Sequence, residues 1–163
     1  MTINRQSSVF VGSSVEGLPI VDAIVVNLEH ACEVVPWTTM FDLGEYTLEA
    51  LETDLHRFDF AVLVLTADDQ IESRGVIASA PRDNVLLELG LFIGKLGRRR
   101  TIVVADRSID LKLPSDLAGL THASYTPHRN GSHRSALGAA CVRIKDVITT
   151  LGPRNNLAMK SHT

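Results

Sequence analysis

The chain has 163 residues, 45% hydrophobic and 21% charged, with a formal net charge of −3. That length holds one domain with a single substantial core, and the apolar content excludes a disordered chain. There is no basic surplus for nucleic acid, and the longest apolar run (residues 60–65, FAVLVL) is far too short to span a membrane. The polar start MTINRQSS predicts no signal peptide. The two cysteines, Cys32 and Cys141, lack metal spacing and sit in apolar patterns, so a cytoplasmic protein with reduced core thiols is expected.

In chain order, residues 9–12 (VFVG) form a fully apolar strand running into a Gly-Ser-Ser turn. Pro19 suits a helix start, and residues 18–30 make the first helix. Residues 33–37 (EVVPW) read as a second strand, with Pro36 marking an edge or an end. A polar and aromatic loop covers 38–44. A second helix covers 47–58, with Leu48, Leu51 and Leu55 on one face. Residues 60–65 do not alternate, so both faces of that strand should be buried. A long loop over 66–82 comes next, then a helix from about Arg82 to a glycine stop at Gly97, then a strand over 101–105. A short helix at 115–117, a weak strand at 123–125 and a helix over 135–151 complete a domain spanning 1–152. Residues 153–163 read as a disordered polar tail.

Strands alternating with helices predict an α/β fold. Its centre is a five-stranded parallel sheet in the flavodoxin-like order 2-1-3-4-5, with helices on both faces. Ligands bind such sheets beyond the carboxyl ends of the strands, where the order reverses between the first strand and the third. The Gly12-Ser13-Ser14 turn, the 66–82 loop and the amino end of the 82–97 helix should meet there.

That helix, RDNVLLELGLFIGKLG, is apolar nearly all round. Asp83 or Asn84 can cap its first amides. Glu88 lies in the middle of the apolar run, one turn from Asn84, and its nearest basic residue on that face, Lys95, is two turns on. A carboxylate so placed costs free energy unless paired or used. The alternative is that Asn84, Glu88 and Lys95 form the thin solvent stripe of a buried helix.

Elsewhere the signals are weaker. Gly12 and Gly17 have the spacing of a phosphate loop, but Leu18 stands where its lysine should be. The free amides and the Ser13 and Ser14 hydroxyls can hold a diphosphate, or the turn is simply capped. Trp37, with Phe41 nearby, offers an aromatic platform or mere rim packing. Asp68, Asp69 and Glu72 make an acidic loop that suits solvent better than a metal. Arg98, Arg99 and Arg100 read as an exposed turn after the helix rather than a phosphate track. No zinc pattern involves the six histidines, and no metal is expected. A single carboxylate also limits the chemistry. Ordinary glycosidases need two, because the leaving alcohol must be protonated. Nicotinamide leaves NAD+ as a neutral molecule, so one glutamate beside the ribose can stabilise the oxocarbenium-like transition state unaided.

The segments VFVGSS (9–14), VVPW (34–37), RFDFAVLVLTADD (57–69), SRG (73–75), APRDNVLLELGLFIGKLG (80–97) and LPSDLAGLT (113–121) carry a resemblance through nearly the whole domain. It is to bacterial TIR-like domains of the predicted nucleotide-binding kind, attached to STING-type and Pycsar antiphage effectors. The resemblance implies a NAD+ glycohydrolase that yields nicotinamide and ADP-ribose when infection raises a cyclic nucleotide, with NAD+ as substrate and no cofactor. It assigns catalysis to Glu88 and substrate contacts to Gly12, Ser13, Ser14, Trp37, Arg82, Asp83 and Asn84. It further implies self-association on activation, and a sensor domain or sensor protein for the cyclic nucleotide. This chain carries no such sensor, so it is expected to be an excised catalytic domain or a partner of a separate one. Two other readings stand beside it: a non-catalytic TIR interaction module, and a nucleoside deoxyribosyltransferase-like enzyme.

Overall fold

The computed structural model describes residues 5–40 and 48–155. The first strand, β1 (Ser8–Gly12), is buried throughout. Helix α1 (Leu18–Leu28) follows with Pro19 in its first turn, where the missing N–H costs nothing. Strand β2 is Glu33–Pro36; Trp37 falls outside it, in a 3-10 turn. Helix α2 (Leu48–Asp54) is shorter than expected and tightens into a 3-10 turn at Leu55–Arg57. Strand β3 (Phe60–Leu65) is fully buried, as its unbroken apolar run requires.

The 66–82 segment is not one structureless loop. It contains strands β4 (Asp69–Ser73) and β5 (Val76–Ala80), paired antiparallel as a separate hairpin. Ser73 faces Val76 across a two-residue turn in which Arg74 and Gly75 both have positive φ, 53° and 78°. That backbone twist suits a tight hairpin, and only Gly75 adopts it without steric cost. Helix α3 (Asp83–Leu96) leads to strand β6 (Thr101–Ala105). The last strand, β7, is Thr121–His122 rather than 123–125; Tyr125 makes only an isolated bridge to Asp106. The final helix is broken into α4 (His133–Ala136) and α5 (Gly138–Leu151), at Leu137.

The main sheet runs β2-β1-β3-β6-β7, all parallel. Counting only its own strands, this is the order 2-1-3-4-5, with Pro36 on an edge strand as its missing N–H demands. Helices cover both faces. Val9, Val11, Phe60, Val62, Val64, Ile102 and Val104 pack against α1 and α5. Phe10, Ala61, Leu63, Leu65 and Val103 pack against α2 and α3. The period of two along each strand is what sends alternate side chains to opposite layers. In the second layer Phe10 stacks on Phe92 with ring centroids 4.7 Å apart, and Phe58 meets both. Cys32 and Cys141 are free and buried in the first layer, where burial pushes each thiol up to about 11.

At the amino edge of the sheet Asp59 is almost wholly enclosed. It accepts two bonds from Arg5 (2.7 and 2.9 Å), one from the Ser8 amide (2.9 Å) and one from the Arg154 amide (2.7 Å). Arg154 is therefore held against the domain, although it falls in the 153–163 tail expected to be disordered; residues 156–163 lie outside the described residues. The arginine run forms the expected turn after α3, a 3-10 turn over Arg98–Arg100 in which Arg98 and Arg99 are exposed. Arg98 donates to Asp116 O, while Arg100 donates to Gly152 O and Leu151 O at the end of α5 and lies 4.8 Å over the Phe60 ring. A cation at a helix carboxyl end is favourable, which accounts for Arg100 without any phosphate.

Candidate functional site

The strand order reverses between β1 and β3, and the site builds up at their carboxyl ends. Gly12 closes β1. A Cβ there would lie 2.6 Å from Phe10 Cε1 and 3.0 Å from Leu63 Cδ1. Phe10 is stacked on Phe92 and in contact with Phe58, so a side chain at position 12 presses into packed rings. Gly12→Ala is expected to cost about 1–3 kcal/mol by overpacking. Urea denaturation with an unchanged m-value checks this; an unchanged midpoint would mean the layer can rearrange.

Ser13 and Ser14 are both buried, with their hydroxyls already engaged. Ser13 Oγ donates to Ser14 O at 2.6 Å and accepts from the Trp37 indole N–H at 3.2 Å. Ser14 Oγ and Thr66 Oγ1 are 3.1 Å apart. A 3-10 turn (Val15–Gly17) separates this turn from α1, so the serines do not sit directly on the helix amides. At Gly17 a Cβ would meet Ser13 Cβ at 2.7 Å, so the phosphate-loop-like spacing of Gly12 and Gly17 is explained by close packing. Trp37 reaches the turn from the end of β2; Phe41, the other half of the suggested platform, lies outside the described residues.

Helix α3 supplies the rest. Arg82 occupies its N-cap position with extended backbone (φ −61°, ψ 138°) and no side-chain cap bond. Its guanidinium donates to Glu16 Oε1 at 2.8 Å, and its Nε is 4.0 Å from Asp69 Oδ2. Arg82 thereby ties the amino end of α3 to the first turn and to the hairpin. Asp83 Oδ1 accepts from the Asn84 amide at 2.7 Å, and both residues are exposed. Asp83 and Leu86 line a cavity of about 610 Å³ with Asp69, Ile71, Pro81 and Lys112. Successive residues turn by roughly 100° on a helix, so Glu88 points roughly 200° away from Leu86, to the other side of α3. The structure thus separates Asp83 from Glu88, while Ser13, Ser14, Trp37 and Thr66 are joined by hydrogen bonds.

Glu88 shares the buried side of α3 with Val85, Leu89, Phe92 and Leu96, facing the layer that includes Phe10, Leu65 and Trp37. It is 5% exposed, so it is no part of a solvent stripe; Asn84 and Lys95 are exposed. Among the described residues its carboxylate has no hydrogen-bond or ion-pair partner. Burial pushes its carboxyl from the usual 4.5 up to about 7. A buried carboxylate without a charged partner, in the second turn of α3, is the candidate for chemistry among these residues. No three His, Cys, Asp or Glu side chains among the described residues are arranged to hold a metal ion.

Two participants escaped sequence reasoning, Thr66 and Glu16. Thr66 was signalled by its position directly after the clearest strand. Glu16 carried no local signal, because its partner Arg82 is 66 residues distant.

The comparisons with known proteins bear on this arrangement. The family described as "CAP12/Pycsar effector protein, TIR domain" matches residues 8–127. The chain belongs to that family. The Pycsar effector protein PaPycTIR of Pseudomonas aeruginosa is 42% identical over 154 residues, covering 93% of this chain and 50% of the relative. The Pycsar effector protein XpPycTIR of Xanthomonas perforans is 42% identical over 149 residues, covering 90% and 49%. CD-NTase-associated protein 12 of Sphingobacterium faecium is 34% identical over 155 residues, covering 95% and 47%. This TIR chain therefore spans about half the length of the curated relatives it matches. A solved flavodoxin-like domain from Synechococcus superposes with a TM-score of 0.51 at 14% identity, covering 88% of this chain and 99% of its own, which shows the shared fold. In this TIR domain no helix among the described residues is long and apolar enough to cross a membrane.

Proposed function

We propose that the chain is the NAD+-cleaving module of a bacterial antiphage effector, hydrolysing the nicotinamide–ribose bond to nicotinamide and ADP-ribose. The observation that carries this reading is the enclosed, unpaired Glu88 at the carboxyl edge of the sheet, in a chain whose relatives are named Pycsar effectors. The ionised carboxylate accepts hydrogen bonds from the ribose hydroxyls and faces the positive charge that develops on the sugar as the glycosidic bond breaks. Nicotinamide departs neutral, so no acid is needed opposite. As the C–N bond breaks its electron pair leaves with nicotinamide; water then forms the new C–O bond at the anomeric carbon and releases its proton to solvent. Ser13, Ser14 and Trp37, with Thr66 beside them, contact the substrate beyond the ends of β1 and β3. Arg82 supplies positive charge for the diphosphate, and NAD+ is substrate rather than cofactor.

On this reading the chain is activated through self-association of TIR domains, under a sensor for a cyclic nucleotide carried on the same protein or on a separate one. The test is NAD+ consumption by the purified chain at rising protein concentration, with and without an inducible oligomeriser fused to it. Turnover rising faster than linearly with concentration is expected, and its absence even in the fused form would overturn the reading. The pH profile has a stated shape. Activity requires ionised Glu88, so kcat/KM should rise with pH and reach half its plateau near 7. The midpoint for kcat should be lower, because the cationic nicotinamide riboside moiety favours the ionised carboxylate once bound. A profile flat from pH 5 to 9 would remove Glu88 from the mechanism.

A further inference from the structure

Arg82 does not wait free for a ligand. Its guanidinium is held by Glu16 at 2.8 Å, with Asp69 at 4.0 Å. Glu16 makes no other hydrogen bond or ion pair among the described residues. Both side chains of the pair are partly open to solvent, Arg82 at 38% and Glu16 at 49%. A carboxylate thus sits on a guanidinium at the amino end of a 14-residue helix, a position whose field and donors suit an anion. The protein's own side chain stands where an anionic ligand group would stand.

We propose that Glu16 is a specificity-determining residue: an internal competitor that occupies the seat of a diphosphate on Arg82 and yields it only to a ligand carrying that group. The inference rests on the NAD+ reading above and deepens it, by giving Arg82 the diphosphate of the substrate and Glu16 control over its entry. The exchange is physically balanced. A diphosphate brings two negative charges and several oxygens to a planar guanidinium, against one charge and two oxygens on Glu16. It therefore displaces the carboxylate, whereas a nucleoside without phosphate cannot. An ion pair this exposed is weak, so its displacement is reversible and its effect on affinity is graded rather than absolute.

The experiment is calorimetric titration of ADP into the wild-type chain, Glu16→Gln, Arg82→Ala and the double variant, with NAD+ kinetics in parallel. Thermal melts confirm that each is folded, and the uncharged Arg82→Gln replaces Arg82→Ala if the latter is not. Glu16→Gln should tighten ADP binding by roughly two- to fivefold, the scale of an exposed ion pair. It should lower KM for NAD+ by a similar factor with kcat unchanged, and leave nicotinamide riboside, which has no phosphate, unaffected. In the Arg82→Ala background the same change should leave ADP affinity where it was. Glu16→Gln that weakens ADP, leaves it unchanged, or acts equally without Arg82 would overturn the proposal. ADP binding does not depend on turnover. A chain that shows this ADP pattern yet never consumes NAD+ would overturn the glycohydrolase reading and leave the competition between Glu16 and ADP standing. Turnover with no effect of Glu16 would do the reverse.

Discussion

Replacing Glu88 with glutamine is expected to abolish NAD+ turnover and, at the same time, to make the protein more stable at alkaline pH. The loss of activity should be roughly 10²-fold or more, the scale seen when a charged catalytic group or an oxyanion-hole donor is removed. The gain in stability comes from the same burial. The folded-state carboxyl titrates at about 7 against a usual 4.5. Between those values the native state holds a proton that the unfolded chain has released, so stability falls as pH rises through the window and the penalty is fully present above it. The shift corresponds to about 3 kcal/mol, as an order of magnitude. A neutral amide of the same shape avoids that penalty. Urea denaturation at pH 8 should therefore favour Glu88→Gln by up to this amount, and the difference should vanish near pH 4. Equal stabilities at both pH values would show that the carboxylate is paired in solution. The expected gain would mark Glu88 as a residue kept for chemistry against the interest of the fold.

Asp59→Ala is expected to give the largest loss of stability, with the opposite dependence on pH. Burial by itself would raise this carboxyl. The bonds from Arg5 and from the Ser8 and Arg154 amides outweigh that and hold it below its usual range. A lowered carboxyl contributes stability that is present above its unfolded value and is lost as pH falls through the folded one, so the clamp should fail in acid. Arg5 is 44% exposed, which discounts the ion pair itself. The two amides that would lose their acceptor are the larger loss. Together these place the cost at about 3 kcal/mol, and Asp59→Asn, which keeps one acceptor oxygen, should lose less. Chemical denaturation measures both; a loss under about 1 kcal/mol for the alanine variant would mean that water replaces the clamp. Asp59 immediately precedes β3, at the opposite end of that strand from Thr66. NAD+ turnover at 25 °C should therefore survive Asp59→Asn. Loss of turnover there without loss of fold would tie the chain terminus to the site.

Much of the architecture was legible because it depends on local pattern. The unbroken run from Phe60 to Leu65, short and rich in valine, reads as a strand buried on both faces, and the 3.6-residue rhythm from Val85 to Leu96 as a packed helix. The hairpin within 66–82 was missed for a physical reason. Ile71, Val76 and Ile77 are exposed, so no buried face imposes an alternating pattern, and the turn is made by an Arg-Gly pair instead of the commoner Asn-Gly. The last strand was misplaced by a few residues because two paired residues leave almost no periodicity.

The sequence by itself determined the strand–helix alternation and the suspicion attached to Glu88, since each follows from the spacing of neighbours along the chain; the strand order it favoured only as the usual one for five parallel strands. Only the tertiary structure decided that Glu88 is enclosed while Asn84 and Lys95 face solvent. A helix apolar nearly all round does not say which side meets the sheet. It also decided that Arg82 meets Glu16, that Ser13 meets Trp37 and that Asp59 gathers Arg5, Ser8 and Arg154. These pairings join residues 24 to 95 positions apart. Hydrogen bonds and ion pairs of that span leave no periodic trace in a chain. They exist only once burial of the two apolar layers has brought the strand ends together.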